Sequence, residues 1–225
     1  MLQTPIVIVN FKTYPEATGE AAFKLANLIF EAGERKGVAV AVAPQVADIA
    51  RIAGRIKMPV LAQHIDPIKQ GRNTGWVTPE SVRAAGAVGT LLNHSEHKLS
   101  IDVVAAVVAR AKEVGLSTVA CAADMAESRK IAAVAPEANA VEPPELIGTG
   151  ISVSKAKPEV VINSVRAVKD LNSKIKVLCG AGITSGSDVA KAIQLGAEGV
   201  LIASGVICAK NQRAAIDDII EGIVK

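Results

Sequence analysis

Three side chains in this sequence are suited to moving protons beside a carbonyl group. Glu142 closes an apolar run and is followed by Pro143-Pro144-Glu145-Leu146-Ile147-Gly148-Thr149-Gly150. A carboxylate half desolvated at such a place gains basicity, because burial disfavours its charged form. The stretch behind it has stiff prolines, an apolar middle and glycines at its end. That composition suits a hinged lid whose tip excludes water. Read alone, Glu142 fits a structural ion pair as well. His94 follows a second apolar run, and Ser95 can cap a helix starting there. An imidazole near a helix N-terminus feels positive potential, which favours the neutral ring, a donor to a carbonyl oxygen. The alternative is a buried histidine that only packs. Lys12, two residues beyond Asn10, suits an anionic substrate and a developing enolate, with Asn10 as a further donor. The alternative is a solvated lysine paired with an acid.

Two glycine-containing turns add an anion site. Gly180-Ala181-Gly182-Ile183-Thr184-Ser185 and Ala203-Ser204-Gly205 each lead from an apolar run into a helical pattern. Small residues let backbone N–H groups approach an anion, and a helix N-terminus adds positive potential. One such turn is ordinary; two point to a phosphate. His94 and His97 lie three apart, but there is no third His nearby and Lys98 is adjacent, so neither a metal nor another cofactor is expected. Cys121, Cys179 and Cys208 sit among apolar residues without metal-like spacing, and read as structural thiols in a reduced compartment.

These residues must be held by a repeating frame. Eight short β-branched runs recur: Pro5–Asn10, Val38–Ala43, Pro59–Gln63, Val88–Asn93, Ser117–Cys121, Asn139–Glu142, Ile175–Gly180 and Gly199–Ser204. Each is almost continuously apolar, as in strands covered on both faces. The mean step between them is about 28 residues, enough for a strand, a crossover helix and the return. Helical patterns lie between. Phe23, Ala26 and Phe30 define one, closed by Gly33. Val161, Val165 and Val168 define another, with Pro158 in its first turn. Val189 and Ile193 run into Gly196. Strand–helix alternation implies parallel strands with right-handed crossovers. Eight repeats close a (β/α)₈ barrel more naturally than an open doubly wound sheet. With no Pro/Ser-rich linker, residues 1–225 read as one α/β domain. Sites in such barrels lie at the C-terminal strand ends, where Asn10, Lys12, Gln63, His64, His94, Glu142, Gly182, Ala203 and Ser204 fall.

Composition excludes other classes. The net charge of +3 is too small and too scattered for a nucleic-acid or membrane surface, and 2% aromatic residues leave no base-stacking platform. No apolar run approaches roughly 18 residues. The start, Met1-Leu2-Gln3-Thr4-Pro5, lacks a basic segment and does not read as a signal peptide. A cytoplasmic protein is expected.

Taken together, Asn10-Phe11-Lys12, Asn93-His94-Ser95-Glu96 and Glu142 to Gly150 resemble the signatures of the triosephosphate isomerase family, in the same order and over essentially the whole chain. Thr74-Gly75 resembles the tip of that family's interface loop. The chain is shorter than the ~250 residues typical of these barrels. The shortening lies mainly between Cys121 and Glu142, as in the compact archaeal branch. The resemblance implies a TIM barrel that interconverts dihydroxyacetone phosphate and D-glyceraldehyde 3-phosphate in glycolysis and gluconeogenesis. Glu142 would be the base and His94 the electrophile. Lys12 and Asn10 would bind substrate, with Glu96 holding Lys12. Ile147, Gly148, Gly182, Ala203 and Ser204 would hold the phosphate through backbone N–H groups. Two positions depart from the pattern: Ile151 stands where a lysine is usual, and Lys98 where an arginine is usual. The alternatives are another phosphate-binding barrel, such as a pentose-phosphate epimerase or a tryptophan-pathway enzyme, and a non-catalytic phosphosugar-binding barrel. Neither predicts Lys12, His94 and Glu142 together. The short helix after Cys121 and the small-residue run Ala132–Ala135 predict an exposed apolar wall. With the loop bearing Thr74, Gly75 and Trp76, that gives two interfaces and a homotetramer, with a dimer as the alternative.

Overall fold

Apolar runs become strands here because both of their faces are covered. The computed structural model describes residues 2–224; Met1, part of the amino-terminal stretch read above, and Lys225 lie outside the described residues. The strands are β1 (Ile6–Asn10), β2 (Ala39–Ala43), β3 (Leu61–Ala62), β4 (Gly89–Leu92), β5 (Ser117–Ala122), β6 (Ala138–Val141), β7 (Lys176–Gly180) and β8 (Gly199–Ile202). They form one parallel sheet in the order β2-β1-β8-β7-β6-β5-β4-β3. A parallel bridge between Val42 and Val60 joins its two edges, with the Val42 N–H donating to the Pro59 carbonyl at 3.2 Å. The expected (β/α)₈ barrel is therefore closed. The third strand is shorter than the run that suggested it. At that seam the Gln63 side chain replaces ladder bonds, its Nε2 donating to the carbonyls of Ala43 (3.0 Å) and Lys12 (2.9 Å).

The strand period of two separates two cores. Ile6, Ile8, Ala41, Ala43, Leu61, Leu91, Val119, Cys121, Ala138, Ala140, Leu178 and Leu201 fill the barrel. Their neighbours, such as Val7, Val9, Val42 and Ala120, face outward and pack with the helices. Alternating Ala with Leu and Ile lets eight strands close without aromatic bulk, which accounts for the near absence of aromatic residues.

Helix boundaries follow local chemistry, with two corrections. Ser95 caps no helix among the described residues: Ser95–His97 is a single 3-10 turn whose N-cap is His94, and the α-helix Ile101–Glu113 begins later, capped by Ser100. The helix Glu20–Lys36 runs through Gly33 and ends at Gly37, which has φ 66°. Its buried face is Ala22, Leu25, Ala26, Ile29, Ala32 and Gly33, with Phe23 and Phe30 only half-buried at the rim. Small residues win the inner face because the helix lies close to the sheet: a Cβ at Gly33 would fall 2.8 Å from the Val40 side chain. Pro158 opens the helix Pro158–Leu171, which buries Val161 and Val168. The helix Gly186–Gln194 buries Val189 and stops before Gly196, at φ 97°.

That helix and the last one, Gln212–Val224, touch backbone to backbone. A Cβ on Gly222 would lie 2.1 Å from the Gly186 carbonyl oxygen, and the Gly186 N–H donates to Asp218 Oδ2 at 2.8 Å. Gly222→Ala should therefore destabilise by about 1–3 kcal/mol through overpacking, although alanine is the better helix former. Urea unfolding monitored by circular dichroism reads the sign directly.

Candidate active site

The inward parity of β1 and β6 continues past their ends and delivers Asn10 and Glu142 to the mouth, whereas after β4 the left-handed Asn93, φ 58°, breaks the alternation ahead of His94. Ala138 and Ala140 point inward, so Glu142 does too, and its N–H extends the ladder to the Ala122 carbonyl at 2.8 Å. Ile6 and Ile8 lead in the same way to Asn10. Glu142, His94 and Asn10 are all buried. Asn10, Lys12, His94, Glu142, Ile147, Gly148, Gly182, Ala203 and Ser204 line a single cavity. Gln63, His64 and Glu96 do not line it and border an adjoining cleft that shares Asn10, Lys12 and His94.

Lys12 is held in a conformation that a side chain rarely adopts, φ 47°. Asn10 Oδ1 accepts from its N–H at 3.0 Å, and Gln63 donates to its carbonyl. Its ammonium meets Glu96 Oε1 at 2.7 Å. These bonds over-determine a strained residue, as is common where a side chain must be aimed. His94 Nδ1 accepts from the Glu96 N–H at 3.2 Å. A ring nitrogen that accepts carries no proton, so the ring N–H belongs to Nε2. Nε2 faces the cavity, 3.8 Å from Glu142 Oε2.

Burial pushes the Glu142 carboxyl above its ordinary value of 4.5, opposed by His94, the Cys121 thiol and the Lys12 ammonium. Its Oε2 has no hydrogen-bond partner in the structure. An unpartnered buried oxygen beside a donor is arranged to take a proton rather than to lock the fold.

The two turns form the opposite wall. Ala181 and Gly182 both have φ 67°, which turns the chain sharply after β7. Among the described residues, no internal hydrogen bond engages the N–H groups of Gly148, Gly182 or Ser204, whereas the Ile147 N–H, expected to face the phosphate, donates to the Pro144 carbonyl at 3.2 Å and is not free for it. The stretch expected to form a lid, Pro143 to Gly150, borders the same cavity. Ile147, Gly148 and Gly150 line the cavity, and the Ile151 carbonyl sits so close to Gly182 that a Cβ there would be 1.9 Å from it. Such a pocket of donors beside a base and a neutral imidazole can hold a phosphate monoester while protons move at its other end.

The model of the triosephosphate isomerase family matches residues 5–222. The chain belongs to the triosephosphate isomerase family. It is 50% identical to the triosephosphate isomerase of Methanothermus fervidus over 219 residues, covering 97% of this chain and 99% of that one. The same identity holds for that of Methanobacterium bryantii over 221 residues, 98% of each. With that of Methanocaldococcus jannaschii the identity is 47% over 218 residues, 97% of this chain and all of the other. All three relatives are as short as this chain, as the gap between Cys121 and Glu142 suggested.

Two residues beside Glu142 make contacts that the sequence reading did not foresee. Gly180, read there only as part of the anion-site turn, is one: a Cβ on it would fall 2.4 Å from Glu142 Cγ, so only glycine leaves room for the acid. Cys121 is another. It is buried against Glu142, which together with desolvation pushes its thiol well up. Its inward parity, shared with Val119, was the signal. Cys208, expected among apolar surroundings, is exposed. Of the two departures from the family pattern, Lys98 pairs with Glu127, and Ile151 exposes its side chain while its carbonyl meets Gly182. His97 stacks on His64, with ring centroids 4.3 Å apart.

The raised Glu142 carboxyl has a stability consequence. The folded protein holds this proton more tightly than the unfolded chain does. Its contribution is therefore fully present below the ordinary value of 4.5 and is lost as pH rises through the folded value. Glu142→Gln should raise the melting temperature at pH 7 and leave it near wild type around pH 4. The acid limb of kcat/KM in the wild type should fall above 4.5.

Proposed function

We propose that this chain interconverts dihydroxyacetone phosphate and D-glyceraldehyde 3-phosphate, with Glu142 as base and His94 as electrophile. Glu142 takes a proton from C1 of the ketose while His94 Nε2–H donates to the carbonyl oxygen at C2. The electron pair of the broken C–H bond forms the enediolate double bond. Glu142 then returns its proton to C2, and the hydroxyl proton passes from O1 to O2 through the imidazole. Lys12 and Asn10 stabilise the developing negative charge. Gly148, Gly182, Ala203 and Ser204 hold the phosphate, and the apolar lid tip at Leu146 and Ile147 keeps water from an intermediate prone to eliminate phosphate.

The observation that carries this reading is the pairing of Glu142 Oε2, unpartnered and buried, with the Nε2–H of His94 at 3.8 Å, on a cavity whose other wall is free backbone donors. A phosphate-binding barrel without catalysis has no use for the first pair. The reaction is read with a coupled dehydrogenase assay on dihydroxyacetone phosphate. Glu142→Gln should lower kcat by about 10²–10⁴-fold, the usual worth of a general base. Activity within a few-fold of wild type would remove Glu142 from the mechanism.

We place the enzyme in cytoplasmic glycolysis and gluconeogenesis, and infer a homotetramer. Among the described residues, no helix is long and apolar enough to cross a membrane. Support for assembly lies on two faces. Trp76, on the loop with Thr74 and Gly75, is 57% exposed. On another face, a groove between the helices Ile101–Glu113 and Met125–Ala133 is lined by Leu99, Ile101, Val104, Ala126 and Ile131 together with the polar Asn93, Asp124, Glu127 and Lys130, with Met125 half exposed. The run Ala132–Ala135 contributes less than its composition suggested, since Ala132 is buried and only Ala133 is exposed. Two isologous faces build a closed D₂ assembly. Light scattering should give four times the chain mass, and Met125→Glu should halve it. A wild-type dimer would remove the second interface.

A further inference from the structure

The loop that follows β7 is tied to the far end of the lid by one buried carboxylate. Asp188 lies in the first turn of the helix Gly186–Gln194 and is 4% exposed. Its Oδ2 accepts from the N–H groups of Thr184 (3.1 Å) and Ser185 (3.0 Å) and from the Ser185 hydroxyl (2.8 Å). A helix cap needs only the Ser185 contacts; the bond to Thr184 reaches further back, toward Gly182. Its Oδ1 meets the ammonium of Lys155 at 2.7 Å. Its backbone carbonyl accepts from the Ser154 hydroxyl at 3.0 Å, and Ser154 in turn bonds Ser152 at 2.7 Å. Both serines are buried. The Val153 N–H adds a bond to the Ala181 carbonyl at 3.3 Å.

Ser152 to Lys155 is the segment into which the lid descends after Gly150. Gly182 and Thr184 line the cavity beside it. Burial alone would raise the Asp188 carboxyl, but Lys155, the Thr184 N–H and Ser185 outweigh it and hold it below the ordinary aspartate range. It is therefore a charged, multiply bonded group at neutral pH, placed where the loop facing the substrate and the lid's C-terminal hinge meet.

We propose that Asp188 is a positioning residue: its carboxylate holds the loop Gly182–Ser185 in its anion-receiving shape and fastens it, through Lys155, to the lid hinge. It touches no reacting atom. It acts on the part of the substrate that does not react, so its effect follows the phosphate. The inference rests on the isomerase reading above, and wild-type activity on the phosphorylated triose tests that reading separately.

The test compares D-glyceraldehyde 3-phosphate with phosphate-free D-glyceraldehyde in the full-length protein. Asp188→Asn keeps the shape but loses the charge. It should lower kcat/KM for the phosphorylated substrate by about tenfold or more, as expected when charge-assisted hydrogen bonds are lost. It should weaken competitive inhibition by inorganic phosphate in parallel. The slow turnover of D-glyceraldehyde should stay within about twofold of wild type. Equal losses on both substrates would mark a purely structural role and overturn the proposal, and so would no loss on either. If Asp188→Asn does not fold, Lys155→Met replaces it, because Lys155 is exposed and its removal leaves the bonds to Thr184 and Ser185 intact. That variant should lose a few-fold on the phosphorylated substrate alone. An equal or absent effect on the two substrates overturns the proposal here as well.

Discussion

Keeping the Glu142 carboxylate out of water while leaving one of its oxygens without a partner is the demand that the rest of the barrel mouth serves. Desolvation favours the protonated form of the group. The Lys12 ammonium, the His94 ring and the Cys121 thiol oppose that burial, each from a different strand end. Each of these must be held firmly, because a shift of a few tenths of an ångström changes how much charge the carboxylate feels. The closed sheet supplies that rigidity. Gln63, just after β3, ties that end of the sheet to Ala43 on β2 and to Lys12 at the seam, Asn10 fixes the Lys12 backbone, and Glu96 serves twice, with its side chain on Lys12 and its N–H on His94.

The same demand explains the glycines that matter. Gly180 is bare because the acid lies against it, and Gly182 is bare because the returning lid does. Strain collects in the same place. Of the four non-glycine residues with positive φ, Lys12, Asn93 and Ala181 stand at C-terminal strand ends, and the fourth, Ala135, lies in the turn before β6. Asn93 is held by bonds to the Cys121 carbonyl and Glu127 and from the Leu99 N–H.

The two halves of the site divide the labour by element. In the proposed reaction, proton transfer would use side chains placed at or just beyond the ends of β1, β4 and β6, close to the stiff sheet. Phosphate contact would use backbone N–H groups on the stretch after Glu142 and on the turns after β7 and β8. Groups that bind a remote, unreactive part of a substrate can sit on elements that move, whereas a base cannot.

Much of this was legible without coordinates. Periodicity in apolar residues marked eight strands, because strands covered on both faces need unbroken apolar runs. The barrel then placed Asn10, Lys12, His94 and Glu142 at one rim, because a parallel sheet points all its C-terminal ends the same way. The family pattern in those motifs named the chemistry that the resemblance implied. The tertiary structure decided what depends on distances between residues far apart in the chain. Which face of the helix Glu20–Lys36 lies inward was decided by how close the sheet came, which favoured Ala and Gly over Phe. The tautomer of His94 was decided by a backbone N–H two residues on. The contacts of Cys121 with Glu142, of Gly180 with the same acid, and of Asp188 with Lys155 join different βα units. No local pattern of residues encodes them, because they exist only once the eight strands have closed.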